Sequence, residues 1–423
     1  MASASAMPRR RYASQRVISI AHHADGMASW TDTTKYALLL LPLLPILTWI
    51  GTNSRSGPSF FLKLTGKLQR KNDALAANEN TYPHFPHLLT SACGVDPTQN
   101  VRRESSNINK ISKSLGFVKP HKTGGSTIAG IINRLVDGRN MTKMIPDDIT
   151  YLGWPGPFPG NVRGMTDKNN RSTSPQKFDA ISNHAVFNHT AFSEHLRSPM
   201  ITFTILREPV SRTISAYNFF PHWHKSWKIF LEYVRTIDYQ NKWQSAVFLN
   251  NLGYSLGWYH WNNNSTKYDQ DKGRIMDFID NLERDMDLVL ILEHMEESLI
   301  LFGDALPEIA LTELVWHDFK VAAKGQPKEY QMPTASERKE LINILTVDRM
   351  IYDHFQTRLI ESWESRVKMV PALENSKQKL RCLHDFIERN IGNTSLVPNE
   401  LRQMLTRDSG AYTKYLWEKR KGE

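Results

Sequence analysis

Four short apolar segments alternate with stretches of helical apolar spacing, and this alternation limits the fold more than any other feature of the sequence. The segments cover 115–118, 178–182, 200–206 and 288–292. Short runs of this kind are typical of buried strands, and apolar residues three and four apart behind them are typical of helices. Strands that alternate with helices indicate a mostly parallel central sheet flanked by helices. We therefore expect an α/β fold.

The stretches behind these strands predict the helices that cover the sheet. After Leu311 the pattern is mainly helical, so we expect a helical C-terminal part behind the α/β region. The helices are expected at 128–136, 190–197, 210–219, a stretch that ends near 302, 349–367, and a stretch across Cys382.

An uncharged apolar segment at 37–50 indicates that the protein is held in a membrane. Basic residues dominate before it, so the positive-inside rule places the N-terminus in the cytosol and the rest of the chain in the lumen. Fourteen helical residues rise about 21 Å, less than the hydrocarbon core of about 30 Å, and a cleaved signal peptide is the alternative. The long stretch before the segment and the lack of an Ala-x-Ala site favour an uncleaved anchor. The basic residues are Arg9, Arg10, Arg11, Arg16 and Lys35.

This interpretation divides the chain into four parts: a cytosolic tail at 1–35, a transmembrane anchor at 36–50, a polar stem at 51–112 and a lumenal domain at 113–423. Cys93 and Cys382, the two cysteines of the chain, are either buried thiols or a long-range disulfide. The sequence leaves both possibilities open.

The net charge of +10 suits an anionic ligand, substrate or surface. No arginine-rich helix is present, so we do not expect a nucleic-acid partner. No spacing of Cys, His, Asp or Glu typical of a zinc site is present either, and we expect no metal.

The segment between the first strand and the first helix is a candidate phosphate cradle. A glycine-containing turn that leads into a helix points backbone amides and a helix N-terminus at an anion. Here Lys122 precedes Gly124 and Gly125, and Ser126 and Thr127 open the helix. A Walker A loop has its lysine after the glycines, which argues against an ATPase or kinase. By itself the segment also fits an ordinary strand-to-helix turn.

A second candidate anion site follows the third strand. Arg207 lies at the end of this strand and Ser215 lies eight residues later, two turns into the next helix. Ligands of open α/β sheets bind at the carboxyl ends of strands, so this arginine and hydroxyl could hold a second phosphate. The alternative is an Arg207–Glu208 ion pair beside an uninvolved serine.

Together these segments resemble the galactose-3-O-sulfotransferase family, which includes the galactosylceramide enzyme. Pro-His-Lys-Thr-Gly-Gly-Ser-Thr at 120–127 resembles the 5′-phosphosulfate loop of sulfotransferases, and Arg207 with Ser215 resembles their 3′-phosphate motif. Further similar blocks cover 182–187, 252–257, 288–301 and 316–320. Gly125 and Glu208 depart from the common Ser and Asp of the family. The resemblance implies a P-loop-like sulfotransferase fold.

The resemblance also implies a donor, 3′-phosphoadenosine 5′-phosphosulfate, and roles for individual residues. Lys122 would neutralise the leaving phosphate, and Arg207 and Ser215 would bind the 3′-phosphate. His184, at the end of the second strand, is the candidate base that takes the proton of the acceptor hydroxyl. His121 and His189 are rival candidates. The 5′-phosphate would be held by the amides or hydroxyls of Thr123, Gly124, Gly125, Ser126 and Thr127.

The expected acceptor is the 3-OH of a galactose in a glycolipid or glycoprotein glycan. Family members are single-pass type II proteins of the Golgi membrane, which agrees with the predicted anchor. Three alternatives remain at this point: sulfation of another sugar position, sulfation of a glycosaminoglycan, and a catalytically silent lumenal glycan-binding protein. The sequence does not indicate the oligomeric state.

Overall fold

The structure of the chain is a computed structural model, and every residue that it describes belongs to one compact unit, Lys71–Glu423. The predicted cytosolic tail, the predicted anchor and most of the predicted stem lie outside the described residues. Within the described part, no helix combines the length and apolar character needed to cross a membrane. The described residues are 92–95, 111–146, 148–156, 158, 177–220, 226–236, 246–258, 271–318 and 330–422.

A four-stranded, entirely parallel sheet forms the centre of the unit, with strand order β2-β1-β3-β4. All four predicted strands are confirmed, but β2 has two residues where five were expected. Its outer edge contacts Lys143 through a single parallel bridge. The amides of Phe178 and Asp179 donate to a helix end and to a loop, although the Asp179 carbonyl still accepts from β1. The strands are β1 Ser114–Val118, β2 Ala180–Ile181, β3 Met200–Leu206 and β4 Leu288–Ile291.

The helices follow the predicted alternation and extend several of the expected ranges. Helix α1 begins directly after the candidate cradle, α3 begins after Arg207, and α9 and α10 lengthen the predicted C-terminal helices. The helices are α1 Gly125–Gly138, α2 His189–His195, α3 Pro209–Phe219, α4 Trp227–Thr236, α5 Asn251–Ser255, α6 Lys272–Asp285, α7 Met295–Ala305, α8 Ala335–Ile344, α9 Thr346–Met369, α10 Ala372–Asn390, α11 Asn399–Thr406 and α12 Ser409–Gly422.

Helices cover both faces of the sheet, because successive strand residues point to opposite sides. In β4, Leu290 packs into a cluster with α1, α7, α10, α11 and α12. Its neighbours Val289 and Ile291 pack into a second cluster with α2, α6 and α9. The apolar residues at every position of β4 are therefore explained by burial on both faces, as expected for a parallel sheet.

The C-terminal helices are fastened to the rest of the domain by covalent and polar contacts. Cys93 and Cys382 form a disulfide, which decides between the two alternatives that the sequence left open. Helix α12 packs along α1, where Lys143 Nζ donates to Thr413 Oγ1 at 3.0 Å and Tyr412 donates to Asp137 at 3.1 Å. The last helix thus supports the helix that carries the candidate cradle.

Candidate active site at the carboxyl edge of the sheet

The loop after β1 has the backbone geometry of an anion cradle. Lys122 (φ 65°) and Gly124 (φ 82°) both adopt the left-handed conformation, which reverses the chain before α1 begins at Gly125. No side chain caps the first-turn amides of α1. The amide of Thr127 already donates to the Gly124 carbonyl at 3.0 Å. The amides of Gly125 and Ser126 precede the first bonds of the helix and are available to an anion.

The two glycines of the loop are required by space and by conformation. A Cβ on Gly124 would lie 2.7 Å from Leu292 Cδ1, and its positive φ disfavours other residues. A Cβ on Gly125 would lie 2.8 Å from Lys119 Cγ. The serine common at this position in the family would therefore meet Lys119, so this departure is matched by the local packing.

The open side of the cradle carries the predicted ligand-binding groups. Lys122, Gly124, Ser126 and Thr127 are partly exposed on this side. Thr123 differs, because it is fully buried and its Oγ1 donates to the Pro120 carbonyl at 3.3 Å. Its backbone amide, and not its hydroxyl, is therefore what Thr123 can offer to a ligand.

The second predicted anion site lies beside the first. Arg207 follows the last residue of β3, and its Nη1 donates to the Lys122 carbonyl at 3.3 Å. Glu208 does not pair with this arginine; its carboxylate caps α3 by accepting from the amides of Val210 and Ser211. The guanidinium is therefore not neutralised by Glu208 and remains available to an anion.

Ser215 lies on the face of α3 that is turned toward the cradle. Residues four apart share one face of a helix, and Phe219 is one turn beyond Ser215. The ring of Phe219 lies under Lys122, with Nζ 3.6 Å from the ring centroid. The structure thus brings Lys122, Arg207 and the Ser215 face of α3 together.

The cradle lysine is held in an unfavourable position for its charge. Burial, and then the neighbouring Arg207, lower the pKa of Lys122 to about 8. An anion bound between Lys122 and Arg207 would offset both the burial of the lysine charge and its repulsion by the arginine. The site is therefore more favourable with a bound anion than without one.

His184 is buried at the end of β2, with its hydrogen-bonding state fixed by the backbone. Its Nδ1 lies 2.7 Å from the Lys119 carbonyl. Because a carbonyl oxygen only accepts, Nδ1 carries the hydrogen and Nε2 keeps its lone pair. Burial, followed by the nearby His121 and Lys119, holds the pKa of His184 well below its usual value. The ring is therefore neutral near pH 7 and can accept a proton at Nε2.

His121 stacks on His184 within a group of rings that we call the aromatic–histidine cluster. The two imidazoles lie 3.9 Å apart between centroids and 15° from parallel. Neither ring nitrogen of His121 has a hydrogen-bond partner in the described part of the chain, although both are buried. Burial also holds the pKa of His121 well below its usual value. The cluster comprises His121, Tyr151, Trp154, His184 and Tyr254.

The structure separates the remaining candidates of the sequence. His189 is the exposed first residue of α2 and does not belong to the cluster. The ring of Trp154 contacts that of His121, with the centroids 4.3 Å apart, whereas Trp258 packs in the core against Phe278. Two further tryptophans, Trp223 and Trp261, lie outside the described residues.

Two residues that support the loop were missed by the sequence analysis. Asn251 Oδ1 accepts the amide of His121 at 3.0 Å, directly before the similar block at 252–257. Lys119 Nζ donates to Ser409 Oγ at 2.6 Å from behind the cradle. The position of Asn251 directly before the block at 252–257 is a signal from which this residue could have been predicted. No local pattern connects Lys119 with a serine in the last helix.

Comparison with known proteins identifies the family. A family model described as galactose-3-O-sulfotransferase matches residues 71–390, which include both anion sites and the aromatic–histidine cluster. The chain belongs to the galactose-3-O-sulfotransferase family. Helices α11 and α12, with Ser409, lie beyond the matched residues.

Individual relatives within this family are distant. Human galactose-3-O-sulfotransferase 2 is 26% identical over 253 residues, which are 57% of this chain and 59% of that protein. Human galactosylceramide sulfotransferase is 25% identical over 289 residues, 64% of each chain. The bovine galactosylceramide sulfotransferase is 25% identical over 318 residues, 71% of this chain and 68% of its own length.

Proposed function

We propose that this chain transfers a sulfuryl group from 3′-phosphoadenosine 5′-phosphosulfate to the 3-OH of a galactose. The observation that carries the proposal is the juxtaposition at one loop of a cationic, partly exposed cradle and a buried neutral histidine. Lys122 belongs to the cradle, whereas its neighbour in sequence, His121, belongs to the aromatic–histidine cluster and stacks on His184. Membership of the galactose-3-O-sulfotransferase family supports the choice of reaction.

In this proposal the cradle binds both ends of the donor. The amides from Thr123 to Ser126 and the hydroxyls of Ser126 and Thr127 hold the 5′-phosphate at the N-terminus of α1. Arg207 and Ser215 bind the 3′-phosphate, which distinguishes this donor from ATP. Such a site, at the carboxyl ends of parallel strands, corresponds to a P-loop-like sulfotransferase fold.

The transfer itself is an in-line displacement at sulfur. The galactose oxygen forms a bond to sulfur while the bond between sulfur and the bridging 5′-phosphate oxygen breaks. The electron pair of that bond stays on the phosphate oxygen, where Lys122 neutralises the developing charge. The hydroxyl proton passes to Nε2 of His184. The products are a sulfated galactose and adenosine 3′,5′-bisphosphate.

We further propose that the reaction takes place in the Golgi lumen, on a domain held by the segment 36–50. The Cys93–Cys382 disulfide supports an oxidising compartment. Galactose-terminated glycolipids and glycans at the membrane would then be the acceptors. Names of the relatives support this class, since they include galactosylceramide sulfotransferase.

Transfer of labelled sulfate from the nucleotide donor to a panel of terminal-galactose and other glycans tests the proposal. We expect label on the galactosides with the wild type, and a loss of about 10²–10³-fold in kcat for Lys122→Ala. Lys177→Ala is the matched control, because this exposed lysine only donates to the Ser193 carbonyl. Equal transfer by wild type and Lys122→Ala would contradict the donor site. Absence of both transfer and adenosine 3′,5′-bisphosphate binding would indicate a silent glycan-binding protein.

A further inference from the structure

Three potential metal ligands meet on a part of the surface that the proposed reaction does not use. Asp318 follows the 3₁₀ helix Leu311–Leu314, and His384 and Glu388 are one turn apart on α10. One ligand atom from each lies within 4.8 Å of the others, and this is the one such group in the described part of the chain. The sequence shows no zinc-type spacing and predicts no metal; the distance along the chain between Asp318 and α10 hides this group from a search for local patterns.

His384 is oriented as a metal ligand requires. Its Nδ1 lies 3.3 Å from the Trp316 carbonyl, which accepts the ring hydrogen and leaves Nε2 with its lone pair. The imidazole also stacks on the Trp316 ring at 4.1 Å. Nε2 then lies 3.8 Å from Asp318 Oδ2. A hydrogen bond from the second ring nitrogen to a carbonyl is the usual outer contact of a metal-binding histidine.

Both carboxylates are oriented by outer contacts as well. Trp316 Nε1 donates to Asp318 Oδ1 at 3.2 Å, which leaves Oδ2 toward His384. The Asp318 amide and the His317 ring both bond to Glu388 Oε1, at 2.8 and 2.6 Å. The protein thus orients each carboxylate through one oxygen, Oδ1 of Asp318 and Oε1 of Glu388. The second oxygen of each carboxylate makes none of these hydrogen bonds and can face a metal ion.

We propose that Asp318, His384 and Glu388 bind one divalent transition-metal ion, with zinc as the best fit. Imidazole and carboxylate ligands together suit zinc, which takes them at about 2.0–2.2 Å. Contraction of the present 3.8 Å gap between Nε2 and Oδ2 requires only a shift of the exposed Asp318 side chain. Two carboxylates and a neutral imidazole would balance the ion's charge, and water completes the coordination.

The bound ion would connect α10 to the segment after the 3₁₀ helix. That segment is already tied to α1, since Arg139 forms a buried ion pair with Glu313 at 2.6 Å. Helix α10 is tied to the N-terminal side of the domain by Cys382. The ion therefore has a structural role, in which it holds α10 against the segment after the 3₁₀ helix, and it takes no part in sulfuryl transfer.

Direct metal binding to the full chain, with its disulfide intact and in buffer without chelator, tests the proposal. Titration with zinc followed by calorimetry and elemental analysis should give one ion per chain. The thermal midpoint should rise by about 3–5 °C when free zinc exceeds its dissociation constant about 100-fold. Absence of stoichiometric zinc binding would overturn the proposed metal site. The His317–Glu388 and His384–Asp318 contacts would then be ordinary histidine–carboxylate pairs.

Variants distinguish the site from general surface binding. Glu388→Gln keeps an acceptor for the Asp318 amide but removes the charge, and should weaken zinc binding at least about tenfold. His384→Ala should weaken it further. His354→Ala is the control, because His354 also pairs with a surface carboxylate, that of Glu283, at 3.0 Å. Equal zinc binding by wild type, Glu388→Gln and His384→Ala would overturn the assignment, as would tighter binding of magnesium than zinc.

Discussion

The cradle and the aromatic–histidine cluster meet at the loop after β1, which contributes Lys122 to the first and His121 to the second, yet they provide opposite environments. Lys122 is partly exposed beside Arg207, so the cradle is cationic and open. His121 and His184 are buried and neutral. A group that leaves with negative charge needs fixed cations, whereas a proton acceptor must be uncharged before the reaction. In the proposed reaction, this difference places the donor on one side of the loop and the acceptor on the other.

The Lys119 segment is the boundary between these environments. Its carbonyl accepts from His184, while its ammonium donates to Ser409 behind the cradle. The left-handed conformation of Lys122 then turns the chain, so that residues 121 and 122 contact different groups. The two side chains of the loop thus serve the two sides of the proposed site separately.

The largest expected effect is on the proton acceptor of the cluster. His184→Ala should lower kcat by about 10²–10⁴-fold, because a positioned general base is lost. Binding of adenosine 3′,5′-bisphosphate, measured by calorimetry, should be unchanged. His189→Ala, on the exposed start of α2, should behave as wild type. Retained turnover in His184→Ala together with its loss in His121→Ala would instead make His121 the base.

A smaller effect is expected for Arg207, on the cationic side of the loop, where nucleotide binding is the quantity that changes. Arg207→Ala should weaken binding of adenosine 3′,5′-bisphosphate by about 10–100-fold, since a charge-assisted hydrogen bond contributes about 1.5–3 kcal/mol. Adenosine 5′-phosphate lacks the 3′-phosphate, so its weaker binding should be nearly equal in both proteins. If the variant weakened both nucleotides by the same factor, Arg207 would not be the 3′-phosphate group.

The pH dependence separates the lysine from the histidines. The pKa of Lys122 is lowered to about 8 by burial and Arg207, so its charge is present below pH 8 and is lost above it. We expect kcat/KM for the donor to fall up to about tenfold per pH unit above this value. In Lys122→Arg the fall should move to higher pH, because a guanidinium stays charged. Burial also lowers the pKa of Lys119 to about 8, and an unchanged fall in Lys122→Arg would assign it to Lys119.

The smallest effect on activity is expected for Ser409, which bonds to Lys119 behind the cradle. Ser409→Ala removes the acceptor of the buried Lys119 ammonium and should lower the free energy of unfolding by about 1–3 kcal/mol. Activity should change less than about tenfold, because Ser409 touches neither proposed substrate. Chemical denaturation measures the first quantity, with Ser376→Ala as control, since its hydroxyl bonds only within α10. Stability equal to that of the control would show that the Lys119–Ser409 contact does not support the cradle.

The sequence predicted local features well and long-range ones poorly. Apolar runs bounded by polar residues located β1, β3 and β4, and β3 matches its expected range. Strand β2 is shorter than expected, because its flanking backbone groups bond to a loop and to the end of α2, which no local pattern shows.

The candidate site follows the same rule. Lys122, the glycines and Arg207 could be found because a turn and a strand end are local signals. The stacking of His121 on His184 depends on the register of β1 beside β2, and the Lys119–Ser409 contact depends on the docking of the last helix. The group of Asp318 with His384 and Glu388 was missed for the same reason.

The central claim is that the two sides of this loop transfer sulfate to the 3-OH of galactose. Its most direct test compares two acceptors with the labelled donor: a terminal β-galactoside and the same compound with the 3-hydroxyl removed. The account predicts one labelled sulfate on the first acceptor and none on the second. Equal labelling of both acceptors, or none on either, would contradict it.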